Sequence, residues 1–333
     1  MKEHREVLDS MKPMADVALV YPDSALKNTD ENGRKFLLDG FSGLYKVLCA
    51  NHVQFRIIFD HEISAEKLSG INVLVVTTAA AFDKGSELTA YTKAGGRVIM
   101  FDGGCLNEGT PYTLPLEIEE LFGIKSRKGT GKADYILLNH EFSSDSPEYM
   151  GSIPVFQGYR DIECTLGKVL GEGATGNEPR TPEEFTGIRR TGAPLVTRRD
   201  YGAGCAIFIS TCPGGIMLKY GLDDHLRFFR YLFKESGYNS FLQSSAPDVI
   251  GITAFACDKG IVLHLLNASG MYPLSSVPRL TNISISLKTE RPSGITVNRP
   301  NIKPESVVFN YADGTLDFTL PYLDLYAMIV VKE

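Results

Sequence analysis

The sequence predicts an α/β protein, a doubly wound parallel sheet of flavodoxin-like type followed by a small antiparallel β-sandwich. Three observations predict it. Through the first hundred residues, short apolar or β-branched runs alternate with amphipathic stretches. Beyond Gly237 the helical period disappears, and short β-rich runs follow one another between turn residues. At 238–248, between these two regimes, Asn, Ser, Gln and Pro cluster and mark a boundary.

Val17-Ala18-Leu19-Val20-Tyr21 is a continuous apolar run, as a strand buried on both faces requires. Residues 33–50 carry Phe36, Leu37, Phe41, Leu44, Val47 and Leu48 at helical spacing. Phe55–Phe59 and Asn72–Thr77 read as the next two strands. A second helix over 83–94 stops at Gly95-Gly96, where a left-handed cap costs glycine little, and Arg97–Phe101 is the fourth strand. Strand–helix–strand repetition at this spacing implies parallel strands joined by right-handed crossovers, with helices on both faces.

The middle is less regular. Residues 114–122 predict a short helix, 132–138 and 162–170 predict strands, and 171–192, rich in Gly, Pro, Glu and Thr, predicts a long loop. Order returns with Leu195-Val196-Thr197, a tight turn at Tyr201-Gly202-Ala203-Gly204 and a strand from Cys205 to Ser210. A helix at 222–236, with Leu222, Leu226, Phe229, Leu232 and Phe233 on one face, closes the domain. Runs at 249–257, 260–267, 281–288, 295–298, 305–310, 315–320 and 325–331 then read as the sandwich. The predicted division is a tail or linker helix at 1–13, an α/β domain at 14–238 and a β-sandwich at 248–333.

Composition narrows the function classes. Of 333 residues, 43% are hydrophobic and 22% charged, which excludes extended disorder. Lys+Arg is 34 against Asp+Glu 40, a net charge of −6, so a nucleic-acid partner is not expected. No apolar run reaches the ~18–20 residues of a membrane span, and the charged first residues lack the apolar core of a signal peptide. Cysteines 49, 105, 164, 205, 212 and 257 form no C-x-x-C or zinc spacing and read as reduced thiols of a cytoplasmic protein. No H-x-H, H-E-x-x-H or carboxylate ladder appears, so neither a metal nor a cofactor is expected.

Five places remain for chemistry. Gly171-Glu172-Gly173-Ala174-Thr175-Gly176 matches G-x-G-x-x-G, but Asn177–Pro182 cannot supply the helix that holds a pyrophosphate, so the stretch reads as loop. Cys105, in Asp102-Gly103-Gly104-Cys105-Leu106, follows a parallel strand where such folds place nucleophiles, and is the candidate catalytic residue. Its base would come from His52, His61, His140, His225 or His264. Asp60-His61-Glu62 lies at the carboxyl edge of the second strand and is the candidate binding cluster. Asp223-Asp224-His225 opens the last helix, where carboxylates complement the helix dipole. Arg189-Arg190 and Arg198-Arg199 read as solvated faces or subunit contacts.

Several segments together resemble the C-terminal part of bacterial glycoside hydrolases of family 42 and its relatives. Pro13 to Tyr21 is similar to the entry into their class I glutamine-amidotransferase-like domain, the β-galactosidase trimerisation domain. Tyr91 to Ile99 resembles its helix–Gly-Gly–strand step, and Leu195 to Gly204 its late strand–turn–strand. Val262 to Asn267 with Tyr322 to Tyr326 resembles the small β-domain that ends such enzymes. The resemblance covers roughly residues 13–333.

It implies a catalytic (β/α)8 barrel of ~250 residues upstream or as a separate partner. About a dozen residues precede the first strand here, and Glu3 to Met11 would be the tail of that barrel's last helix. No family catalytic residue therefore carries over. In that family the domain has lost its Cys–His–Glu apparatus and serves in assembly. The expected function is thus non-catalytic oligomerisation, as a trimer, in carbohydrate metabolism. The alternatives are a cysteine-dependent amidase or hydrolase using Cys105, and a carbohydrate-binding module in 248–333 with a sugar ligand.

Overall fold

Strand-forming runs dominate the chain, which is α/β with few helices and with both mixed and antiparallel sheets. The computed structural model describes residues 8–102, 112–139, 151–176, 188–270 and 276–332. Its strands begin with β1 (Lys12–Pro13), β2 (Val17–Tyr21), β3 (Phe55–Phe59), β4 (Val73–Val76) and β5 (Arg97–Phe101). They continue with β6 (Ile124–Leu138), β7 (Ser152–Cys164), β8 (Lys168–Gly176), β9 (Ile188–Tyr201) and β10 (Gly204–Ile209). Two compact units divide the chain. One comprises residues 17–47 and 56–238; the other gathers residues 1–16, 48–55 and 239–333.

The larger unit is built on one sheet of order β3-β2-β4-β5-β10-β9-β8-β6-β7. The pairs β2–β4, β4–β5 and β5–β10 are parallel. Apart from Arg97 at the start of β5, these strands carry no charged residue, because both faces are covered. Ala18, Val20, Leu74, Val76, Val98 and Met100 pack on one side with Leu88, Ile118 and Leu121 from the helices Gly85–Lys93 and Leu116–Phe122. On the other, Phe101 stacks at 5.6 Å on Phe229 of the helix Asp223–Ser236. Fully burying a side chain of this size stabilises the fold by about 1.5–3 kcal/mol.

From β10 onward the sheet departs from the doubly wound parallel pattern. Gly202, at φ +63°, turns the chain within two residues, and Tyr201 pairs with Gly204. So tight a connection can only join antiparallel strands. The pairs β10–β9, β9–β8, β8–β6 and β6–β7 are accordingly antiparallel. The expected strand at 132–138 extends back to Ile124, and the expected one at 162–170 is broken by a turn between β7 and β8.

The expected loop at 171–192 is also corrected: residues 171–176 complete β8 and β9 starts at Ile188. The glycines fit there because neighbours fill their space. A Cβ on Gly171 would stand 2.9 Å from Ile136 Cγ2, and one on Gly173 2.8 Å from Thr191 Oγ1. Packing across the sheet overrides the composition.

The smaller unit adds β11 (Leu242–Ser244), β12 (Ile250–Cys257), β13 (Gly260–Asn267), β14 (Leu280–Lys288) and β15 (Gly294–Asn298). It ends with β16 (Glu305–Ser306), β17 (Phe309–Ala312), β18 (Thr315–Leu323) and β19 (Tyr326–Lys332). Two sheets, β1-β12-β13-β19-β15-β16 and β11-β14-β18-β17, enclose one core containing Ile252, Leu263, Val297 and Ile329 from the first and Ile285, Leu287, Leu316 and Leu320 from the second. Asp313-Gly314, with φ +50° and +75°, makes the two-residue turn between β17 and β18.

At the end of the expected tail or linker helix, Lys12 and Pro13 pair with Ala256 and Phe255 at the edge of the first sheet. Gln54 ties residues 48–55 to the same sheet, donating to Ile252 O at 3.0 Å and accepting from Ala254 N at 2.9 Å. No helix among the described residues is long and apolar enough to cross a membrane.

Candidate functional site

The parallel strands end at one edge of the larger unit, and two polar clusters sit there. The first grows from Asp102, the residue after β5. Its Oδ2 receives Nε of Arg160 at 2.5 Å, and its Oδ1 receives the Tyr112 hydroxyl. Both charged side chains are closed to solvent, and the Arg160 guanidinium lies over the Tyr112 ring at 4.4 Å. Arg160 Nη1 also donates to Tyr112 O at 2.7 Å and to Ser126 Oγ at 3.2 Å.

Burial opposes the guanidinium charge, but the Asp102 carboxylate and Tyr112 together outweigh it and hold Arg160 above its ordinary value. Burial, reinforced by the Asp102 charge, pushes the Tyr112 phenol well up, so it stays protonated and donates. This carboxylate is committed to its partners; the arrangement clamps the chain where it leaves β5.

The second cluster contains the sequence candidates Asp60, His61 and Glu62, which form a single 3₁₀ turn after β3. Asp60 is buried and accepts from Ser24 N at 2.9 Å, Ser24 Oγ at 3.1 Å and His61 N at 2.7 Å. Half-exposed His61 places Nδ1 3.3 Å from Asp23 Oδ2 and 3.5 Å from Asp60 Oδ1. Glu62 stands apart from these groups: it accepts from Phe59 N at 3.4 Å and faces Lys67 at 3.9 Å. Asp23, Asp60 and His61 offer ligand atoms all within 4.8 Å of one another. The Lys27 ammonium, however, already sits 2.5 Å from Asp23 Oδ2. The set thus works as a cap on the helix Asp23–Lys27, with its own internal cation.

The remaining candidates separate. Cys105 lies outside the described residues, as does His140. Gly171–Gly176 is strand, not a phosphate cradle. His225 is buried; its Nε2 donates to Pro154 O at 2.8 Å, its Nδ1 is buried without a partner, and burial lowers its pKa. Cys212, fully buried, is pushed up to about 11 by burial, and burial also raises Cys164 and Cys205. None of these three is poised as a thiolate near neutral pH. Arg190 pairs with Glu172 at 3.3 Å and Arg198 with Asp200 at 2.6 Å, which disposes of part of the arginine-rich stretch locally.

Sequence reasoning missed the Asp102–Arg160–Tyr112 clamp. The one available signal was a carboxylate directly after an all-buried strand; nothing marked its partner 58 residues away.

No family model matches the chain, and no curated protein matches it. Solved structures do. An α-L-fucosidase isoenzyme 2 from Paenibacillus thiaminolyticus superposes with a TM-score of 0.72 at 19% identity, over 99% of this chain and 51% of that one. A β-galactosidase from Bacillus circulans sp. alkalophilus gives 0.60 at 15% identity, over 97% and 42%. The family 42 β-galactosidase Gan42B from G. stearothermophilus gives 0.57 at 14%, over 96% and 40%. At such identities the likeness is one of fold. The chain spans about half or less of the length of each of these structures.

Proposed function

We propose that this chain is the non-catalytic assembly region of a cytoplasmic, β-galactosidase-like glycoside hydrolase: a class I glutamine-amidotransferase-like domain that holds subunits together as a trimer, followed by its β-sandwich. One observation carries the reading. Nearly all of this chain superposes on glycoside hydrolases, yet it accounts for only 40–51% of their length. The order β3-β2-β4-β5-β10 supports the flavodoxin-like part of it, since it reproduces the 2-1-3-4-5 arrangement of one doubly wound class. In this reading a (β/α)8 barrel supplies the glycosidic chemistry.

The surface offers a face for association. Leu116 and Leu166 are 66% and 56% exposed, and both line a groove of about 470 Å3 that also takes in Glu119, Lys125, Arg199 and Tyr201. Opposite charges around an apolar pair suit a copy of the same chain better than a small ligand.

The barrel is tested by the size of the native polypeptide, using an antibody raised against this chain on a lysate of the source cells. A band near twice 36.6 kDa supports a fused barrel. A band at 36.6 kDa contradicts it.

A further inference from the structure

The outer face of the sheet β11-β14-β18-β17 carries a groove of about 990 Å3. That is at the top of the ~300–1,000 Å3 range of small-molecule sites and leaves room for a chain of rings. The alternation that buries Leu287, Leu316 and Phe318 turns their neighbours outward. Register then aligns those neighbours: Gln243 lies opposite Ser286, Ser286 opposite Asp317, and Asp317 opposite Asn310. One row of hydrogen-bonding side chains therefore crosses all four strands. A second row begins beside it with Ser284 opposite Thr319.

The backbone ladder holds this sheet together. Among the described residues, Ser286, Asn310, Asp317 and Thr319 spend no side chain on another protein group. Val308, 92% exposed, and Pro321 add apolar surface to the same groove. Its lining holds no lysine or arginine, and of its two carboxylates Glu305 is bonded to Arg299 Nη1 at 2.6 Å. An anionic ligand would find no counter-charge there.

We propose that this groove binds a neutral oligosaccharide laid across the four strands. Adjacent strands are spaced by ~4.8 Å, so the polar row spans about 14 Å. Each step is close to the length of one hexopyranose unit, which gives one hydrogen-bonding side chain per ring. Hydroxyl, amide and carboxylate groups match the donors and acceptors of a sugar edge, while Val308 and Pro321 meet the C–H faces. The groove belongs to one unit of one chain, so the proposal does not depend on the assembly reading.

The test is titration calorimetry of the full chain with the β-1,4-linked hexaoses of glucose, galactose and xylose, the α-1,4-linked glucose hexaose, and an oligogalacturonate. The expected result is saturable binding of at least one neutral hexaose with Kd below ~1 mM. It should weaken at least tenfold in the D317A/N310A protein and in T319K, which fills the second row. Two variants at exposed positions guard against one failing to fold. Absence of binding to all four neutral hexaoses overturns the proposal, as does binding unchanged in both variants, or oligogalacturonate binding as tight as the neutral chains.

Discussion

Nε of Arg160 stands 2.5 Å from Oδ2 of Asp102, with both side chains shut away from solvent. Arg160 lies on β7, the last strand in sheet order, whereas Asp102 follows β5 in the parallel block. The antiparallel half of the sheet must therefore coil back onto the parallel half. The backbone agrees: Arg160 N donates to Ser210 O at 2.8 Å, and Thr211 Oγ1 to Gly158 O at 2.9 Å. The ion pair closes that return.

Breaking the pair on one side strands a buried charge. Either D102N or R160M should cost about 3–5 kcal/mol in urea unfolding, because the remaining group keeps its desolvation penalty without its partner. The double variant should lose less than the sum of the two. Additive losses would mean that the pair is not energetically coupled.

Glycine 43 should reverse the usual sign of a helix substitution. Inside an exposed helix, Gly→Ala gains up to about 1 kcal/mol. Here a Cβ on Gly43, in the helix Glu31–Ala50, would stand 1.8 Å from the Gly214 carbonyl oxygen, which is backbone and cannot swing away. G43A should lower the thermal midpoint by several degrees, read by circular dichroism. A raised midpoint would mean that this helix and the helix Gly214–Tyr220 are not in contact at this point.

His225 makes stability depend on pH. Burial lowers its pKa below the ordinary 6.5, so the unfolded chain takes up the proton more readily than the folded one. The stabilisation is intact above about pH 6.5 and declines as pH falls through that value toward the lower folded one. Urea midpoints from pH 8 to 5 should fall more steeply for the native chain than for H225Q, whose amide keeps the bond to Pro154 O. Identical slopes would assign the pH dependence elsewhere, including to His264, which burial also lowers.

Leu116 and Leu166 should matter for association rather than for folding. Both are more than half exposed, so L116E/L166E should keep its thermal midpoint within a few degrees and lose its oligomer in gel filtration. An unchanged elution volume would place the subunit contact on another face.

The legible parts of the fold were those set by local pattern. β2 lies where a continuous apolar run predicted it, β3 and β5 where the next short strand-forming runs did, and the Asp313-Gly314 turn sits between two alternating runs. The antiparallel return was half legible. The tight turn at Tyr201–Gly204 was visible, but its consequence for strand direction depends on which strand precedes it, and composition disguised β8 and the start of β9 as loop. At the site, Asp60, His61 and Glu62 adjoin in sequence, so the segment was legible as a candidate, although Glu62 stands apart from the other two. The cluster's partners Asp23 and Ser24 were not, nor was Arg160, whose burial is decided by a strand returning from the far end of the sheet. The polar row on the sandwich face needs register between four strands, which no single segment encodes.

Light scattering on the chain as it elutes from gel filtration decides whether it assembles. A trimer gives a mass about three times 36.6 kDa, independent of concentration over the micromolar range. A mass of 36.6 kDa across that range would contradict assembly.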